Sequence, residues 1–191
     1  MKDNQDQNQN RDRMAGDKTT DRGMLTGMFS DRESTENAYN TLHERGYTKD
    51  DISLVMSDDT RKKHFSDETV KETEIGTKAA EGAGKGSAIG GTVGAIVGVI
   101  AAIGTSIAIP GLGIVIAGPI AAGLAGAGAG GITGGIIGAL VGSGIPEARA
   151  ELYKSGIEEG NIVIGVKPRN SEDAKYLEDN WRTNQGREIH Y

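Results

Sequence analysis

The stretch GSAIGGTVGAIVGVIAAIGTSIAIPGLGIVIAGPIAAGLAGAGAGGITGGIIGALVGSGIP, residues 86–146, decides how the rest of the chain is read. It holds no Asp, Glu, Lys, Arg or His and no aromatic residue. Glycine recurs at every fourth position in two runs: Gly82, Gly86, Gly90, Gly94 and Gly98, then Gly126, Gly130, Gly134, Gly138 and Gly142. That spacing stacks glycines one turn apart on a helix face and leaves a groove another backbone can enter. The remaining positions are apolar, with Ile89, Val93, Ile96, Val97, Ile100 and Ile103 in the first run and Ile132, Ile136, Ile137, Leu140 and Val141 in the second. Glycine costs a helix about 1 kcal/mol against alanine in water, so such helices need lipid or tight packing to form. The pattern predicts two helices, 80–103 and 119–144, each long enough at ~1.5 Å per residue to cross a ~30 Å hydrocarbon layer. Between them, residues 105–119 contain Pro110, Gly111, Gly113, Gly118 and Pro119, which turn the chain, yet the segment is too apolar for an exposed loop.

Composition divides the 191 residues sharply, because many of the 30 glycines lie in this stretch while charge lies outside it. Lys and Arg number 21 against 27 Asp and Glu, a formal charge of -6, with no long basic block or aromatic-interleaved basic stripe, which argues against nucleic acid as the main partner. Cysteine is absent, so disulfide and thiolate chemistry are excluded. Residues 1–22 are polar with no apolar run, which predicts a disordered tail and no secretory signal. Arg61, Lys62, Lys63 and Lys85 precede the apolar stretch and Arg149 and Lys154 follow it, so positive-inside bias puts both ends in the cytoplasm if it enters a membrane. Arg61, Lys62 and Lys63 are candidates for contact with anionic lipid heads, weakened by Asp58, Asp59, Asp67 and Glu68.

The flanks read as two halves of one domain. Residues 23–29 form a short buried strand, Ser30 and Glu33 a capping box for a helix ending at Gly46, and residues 52–56 a second strand. Residues 66–85 are a charged lead-in. After the stretch, Pro146 opens a short amphipathic helix stopped by Gly156, residues 161–166 form a strand, and Asn170 caps a helix with Ala174, Leu177 and Trp181 on its inner face. A terminal strand spans 187–191.

Signals for chemistry are weak. The segment from Ala79 to Gly86 nearly spells a phosphate-binding loop at Lys85, but Gly86 stands where a hydroxyl must ligate magnesium. Gly126, Gly128 and Gly131 match a dinucleotide fingerprint without a preceding strand or an acidic residue to hold ribose. His43, His64 and His190 are isolated, and the carboxylate pairs Asp50–Asp51, Asp58–Asp59 and Glu158–Glu159 fall at turns and strand ends. No cofactor, no metal and no catalysis are expected.

The pieces MLTGMFS (24–30), ISLVMS (52–57), the glycine-zipper centre and GIPEARAELYKSGIEEGNIVIGV (144–166) resemble the bacterial heat-induced or general stress proteins of the Bacillus type and related low-temperature-induced proteins. The resemblance implies a stress-linked protein and supplies no established enzymatic residues to carry over. The expected fold is α+β, a small ferredoxin-like α/β sandwich (23–65 and 146–191) split by an inserted glycine-zipper helical hairpin (86–145). The hairpin is expected to associate with the membrane from its cytoplasmic face and to self-assemble into a homo-oligomer. The alternative is a soluble cytoplasmic homo-oligomer with hairpins packed in a shared core.

Overall fold

A computed structural model describes residues 23–65, 107–109, 113–121 and 135–191. Helices and antiparallel strands mix in it, as an α+β architecture requires. The elements run β1 (Leu25–Phe29), α1 (Arg32–Glu44), β2 (Ile52–Ser57), α2 (Asp58–Phe65), β3 (Ile107–Ile109), β4 (Ile114–Ala117), α3 (Gly135–Gly142), α4 (Glu147–Glu158), β5 (Ile162–Val166), α5 (Ser171–Thr183) and β6 (Arg187–His190). They build one six-stranded sheet in the order β3-β4-β2-β5-β1-β6. Both β1 and β2 are antiparallel to β5, which lies between them, so β1 and β2 run parallel across one intervening strand.

Strand alternation sorts apolar residues onto two faces. Leu25, Phe29, Ile52, Leu54, Met56, Ile162, Ile164 and Val166 meet Leu42 of α1 and Leu177 and Trp181 of α5 on one side. Gly27 lets the Trp181 ring lie on the sheet, since a Cβ there would stand 2.8 Å from Cε3, and Phe29 meets the ring edge-on at 5.7 Å. On the other side Met28, Val55 and Val163 meet Leu140 of α3 and Ala150, Tyr153 and Ile157 of α4. Each face of the sheet is covered by helices, because alternating apolar residues on both faces leave neither one stable in water.

The second core corrects the expected organisation. The chain does reverse within residues 105–119, between β3 and β4, but the described residues of that segment are part of the sheet: β3 pairs with β4, and β4 pairs with β2 in the register Leu54↔Ala117 to Ser57↔Ile114. No single helix runs through 119–144. Gly135 has φ +59, a left-handed conformation that interrupts an α-helix, and α3 spans only Gly135–Gly142 among the described residues. Ile114, Ile116, Ile120, Ala121, Ile136, Ala139, Leu140 and Ile145 are all buried in the second core, so the described residues 113–121 and 135–145 belong to the domain that the stretch was expected to interrupt. Fully burying an Ile or Leu contributes roughly 1.5–3 kcal/mol, which makes these residues a main source of the fold's stability.

Local corrections are smaller. Helix α1 is capped by Asp31, whose carboxylate accepts from Ser34 N–H at 2.8 Å, instead of by a Ser30–Glu33 box. Gly156 does not stop α4 but sits inside it, where a Cβ would come within 2.1 Å of Met28 Sδ. Asn170 caps α5 as expected, accepting from Asp173 N–H at 2.7 Å.

Gly118 ends β4 with φ +78, and a Cβ on it would stand 2.0 Å from the Ile52 carbonyl oxygen. Only glycine combines that conformation with that approach. Gly118→Ala is expected to lower unfolding stability by about 2–4 kcal/mol, whereas Gly23→Ala, at a position with open space around it, is expected to change it by less than ~0.5 kcal/mol. Urea midpoints of the two variants check this.

Candidate functional site

The candidate site is the seam where the glycine-rich stretch joins the sheet. Three contacts hold it besides the β2–β4 ladder. The Asp58 N–H donates to the Gly113 carbonyl at 2.7 Å, tying the β3–β4 turn to the start of α2. The fully buried Ser53 hydroxyl accepts from Ile120 N–H at 3.2 Å, satisfying a donor just past Pro119. Gly118 supplies the third by its approach to Ile52.

Of the glycines expected to pack helices, Gly86, Gly90, Gly94, Gly98, Gly126, Gly130 and Gly134 lie outside the described residues. Gly138 and Gly142 lie on α3. Gly142 is exposed, and a Cβ on it would meet nothing within 4 Å. The buried residues of α3 are instead Ile136, Ala139 and Leu140, which join the second core with α4.

Arg61, Lys62 and Lys63 all fall on α2, where Arg61 donates to Asp58 Oδ1 at 2.9 Å and Lys62 contacts Asp58 Oδ2 at 2.6 Å. Lys62 and then Arg61 hold the Asp58 carboxyl below its usual range. Two of the three cations thus share one carboxylate, which reduces the charge the triplet offers a lipid headgroup. Asp51 closes a turn by accepting from Thr48 N–H at 2.8 Å and from its hydroxyl at 2.7 Å, a role in local structure. His43 is exposed, and burial lowers the pKa of His64. No group of three His, Cys, Asp or Glu side chains is arranged for a metal among the described residues. Lys85, Gly126, Gly128 and Gly131 lie outside them.

Two polar networks escaped the sequence reading. Tyr47 donates to Asp173 Oδ2 at 2.8 Å and accepts from Arg169 N–H at 3.0 Å, while Arg45 Nε lies 3.1 Å from Asp173 Oδ1, so the end of α1 is fastened to the start of α5. Across the sheet, the Tyr153 hydroxyl lies 2.8 Å from Thr26 Oγ1 and donates to the Glu188 carbonyl at 2.7 Å. Glu188 has φ +50, and its carboxylate pairs with Arg149. Together these contacts hold a left-handed residue at the sheet edge, where β6 departs from regular register with β1. Both networks join residues more than a hundred positions apart, so no local pattern announces them. The nearest signal is Tyr153 on the apolar side of α4, four residues before Ile157.

No helix among the described residues is long and apolar enough to cross a membrane. Burial raises the Tyr153 pKa, so its contribution to stability is complete below the ordinary value of 10.0 and is lost as pH rises above it. Tyr39 and Tyr47 are shifted the same way. Tyr153→Phe is expected to cost about 1–2 kcal/mol at neutral pH and to make stability fall less steeply above pH 10, as read from urea midpoints across that range. No protein-family model, no curated protein and no solved structure matches the chain.

Proposed function

We propose that this protein is a non-enzymatic bacterial general stress protein that works as a soluble homo-oligomer, its glycine-rich segments packed in a shared core. The resemblance of residues 24–166 to Bacillus-type stress proteins supports the stress link. The order β6-β1-β5-β2, with α1 and α5 against one face, supports a ferredoxin-like domain to which the β3–β4 hairpin is added at the β2 edge.

The observation favouring this reading over a hairpin that crosses a bilayer is the pairing of β4 with β2. A two-pass hairpin carries its connector to the far side of the membrane, whereas here the connector is a strand of the domain at the near end. Both glycine-rich runs therefore leave the sheet and come back to it. Residues 122–134 number thirteen, about 20 Å as a helix, which is too short for one crossing of a ~30 Å layer. Residues 66–106 have an uncharged run only over 86–106, enough for one crossing but not for the return, which brings the need to about 40 apolar residues. With the sheet intact, the apolar surface of these runs is best removed from water by packing against protein, in a cytoplasmic assembly of copies.

Sedimentation of the purified chain is expected to give a mass above that of the monomer, and membranes of expressing cells are expected to release the protein in alkaline carbonate. A monomer at every concentration tested, or retention in the carbonate-washed pellet, would contradict the proposal.

A further inference from the structure

We infer that β6 is an exchangeable strand, and that two copies of this chain join by placing the β6 of each on the β1 of the other. Strand β6 lies at the edge of the sheet, and among the described residues it pairs with β1 alone. The link from α5 to β6 is only Asn184, Gln185 and Gly186. Within it Gln185 has φ +62, a left-handed conformation that L side chains avoid, and the Gly186 N–H turns back to the Trp181 carbonyl at 2.7 Å. Short links held under strain favour exchange between copies, because opening the link releases the strain while the strand's own contacts are remade. In an opened link Gln185 becomes extended, so an exchanged pair sheds the strain twice.

The contacts that hold β6 do not depend on which copy supplies it. The Thr26 hydroxyl donates to the His190 carbonyl at 3.3 Å, Tyr153 donates to the Glu188 carbonyl at 2.7 Å, Arg187 donates to Asn161 Oδ1 at 3.2 Å, and Arg149 pairs with Glu188. The groups facing β6 in these contacts lie on β1, on α4 and at Asn161 just before β5, all ahead of the link in the chain. Strand β1 in turn needs a neighbour, since all five of its residues are buried and an open edge leaves its backbone groups unpaired. A second copy offers the one strand that brings this whole set of partners. Adding a further strand outside β6 is the rival arrangement. Exposed Arg187 and Glu188, the φ of +50 at Glu188 and the shifted register make that edge a poor template for it. The exchange goes beyond the assembly proposed above, since it involves no residue of the glycine-rich runs.

Thr26 and His190 are Cα partners across the two strands, which places them about 5 Å apart and within reach of a disulfide, and the chain has no cysteine of its own. In Thr26→Cys/His190→Cys protein the bond is intrachain when β6 closes on its own domain and joins two chains when it is exchanged. Refolded from urea at rising concentration and then oxidised, this variant is expected to give covalent dimers whose share grows several-fold. Deleting Gln185 is expected to make nearly all of the bond interchain, while inserting two glycines after Gln185, or Gln185→Gly, returns it to intrachain. An intrachain bond at every concentration and in the deletion variant, no bond at all, or dimers at equal yield whatever the link would overturn the inference. The glycine-inserted variant separates this inference from the assembly: its sedimentation as a monomer beside exchange in the parent would contradict the glycine-rich core alone, and an intrachain bond throughout with mass above monomer would contradict the exchange alone.

Discussion

The antiparallel pairing of β4 with β2 is the constraint on which the molecule depends. Four residue pairs, the buried Ser53–Ile120 hydrogen bond, the Asp58–Gly113 hydrogen bond and the tight approach of Gly118 to Ile52 all act at that seam. Without it, Ile114, Ile116 and Ile120 lose their cover and Val55 is left facing water. A charge-free, glycine-rich stretch is thereby drawn into the domain at its middle and end. The seam also bears on function, because it fixes Ile114–Ala117, between the two glycine-rich runs, as a strand of the domain.

The same seam explains why the sheet carries helices on both faces. Helices α1 and α5 each follow a strand and cover one face in the manner of two βαβ units. The opposite face would be an exposed apolar layer of Met28, Val55 and Val163 if α3 and α4 did not lie on it. The apolarity of Ile114, Ile116, Ile120, Ile136 and Leu140 thus serves the second core of the domain.

Much of the domain was legible from local pattern. Strands β1, β2 and β5 stand out as short apolar runs bounded by polar or glycine residues, and Asn170 with the Ala174, Leu177, Trp181 spacing marks α5. Strand β4 was not legible, because IVIA between two glycines fits a buried turn as well as a strand and its partner lies more than fifty residues earlier. The four-residue glycine period predicts a packing face throughout, yet on α3 the buried residues are Ile136, Ala139 and Leu140. Period alone does not say which face turns inward; the nearest large apolar surface decides that. The Tyr47 and Tyr153 networks were hidden for the same reason as β4, since each closes only when distant segments meet.

Amide hydrogen exchange at Ile114–Ala117 in the full chain, in buffer and again with anionic phospholipid vesicles, tests the central claim most directly. The account predicts slow exchange at these amides matching that of β2, unchanged by vesicles, because β4 remains in the sheet. Rapid exchange in buffer, or protection lost when vesicles are added, would contradict it by showing that the connector leaves the sheet and frees the glycine-rich runs to cross a membrane.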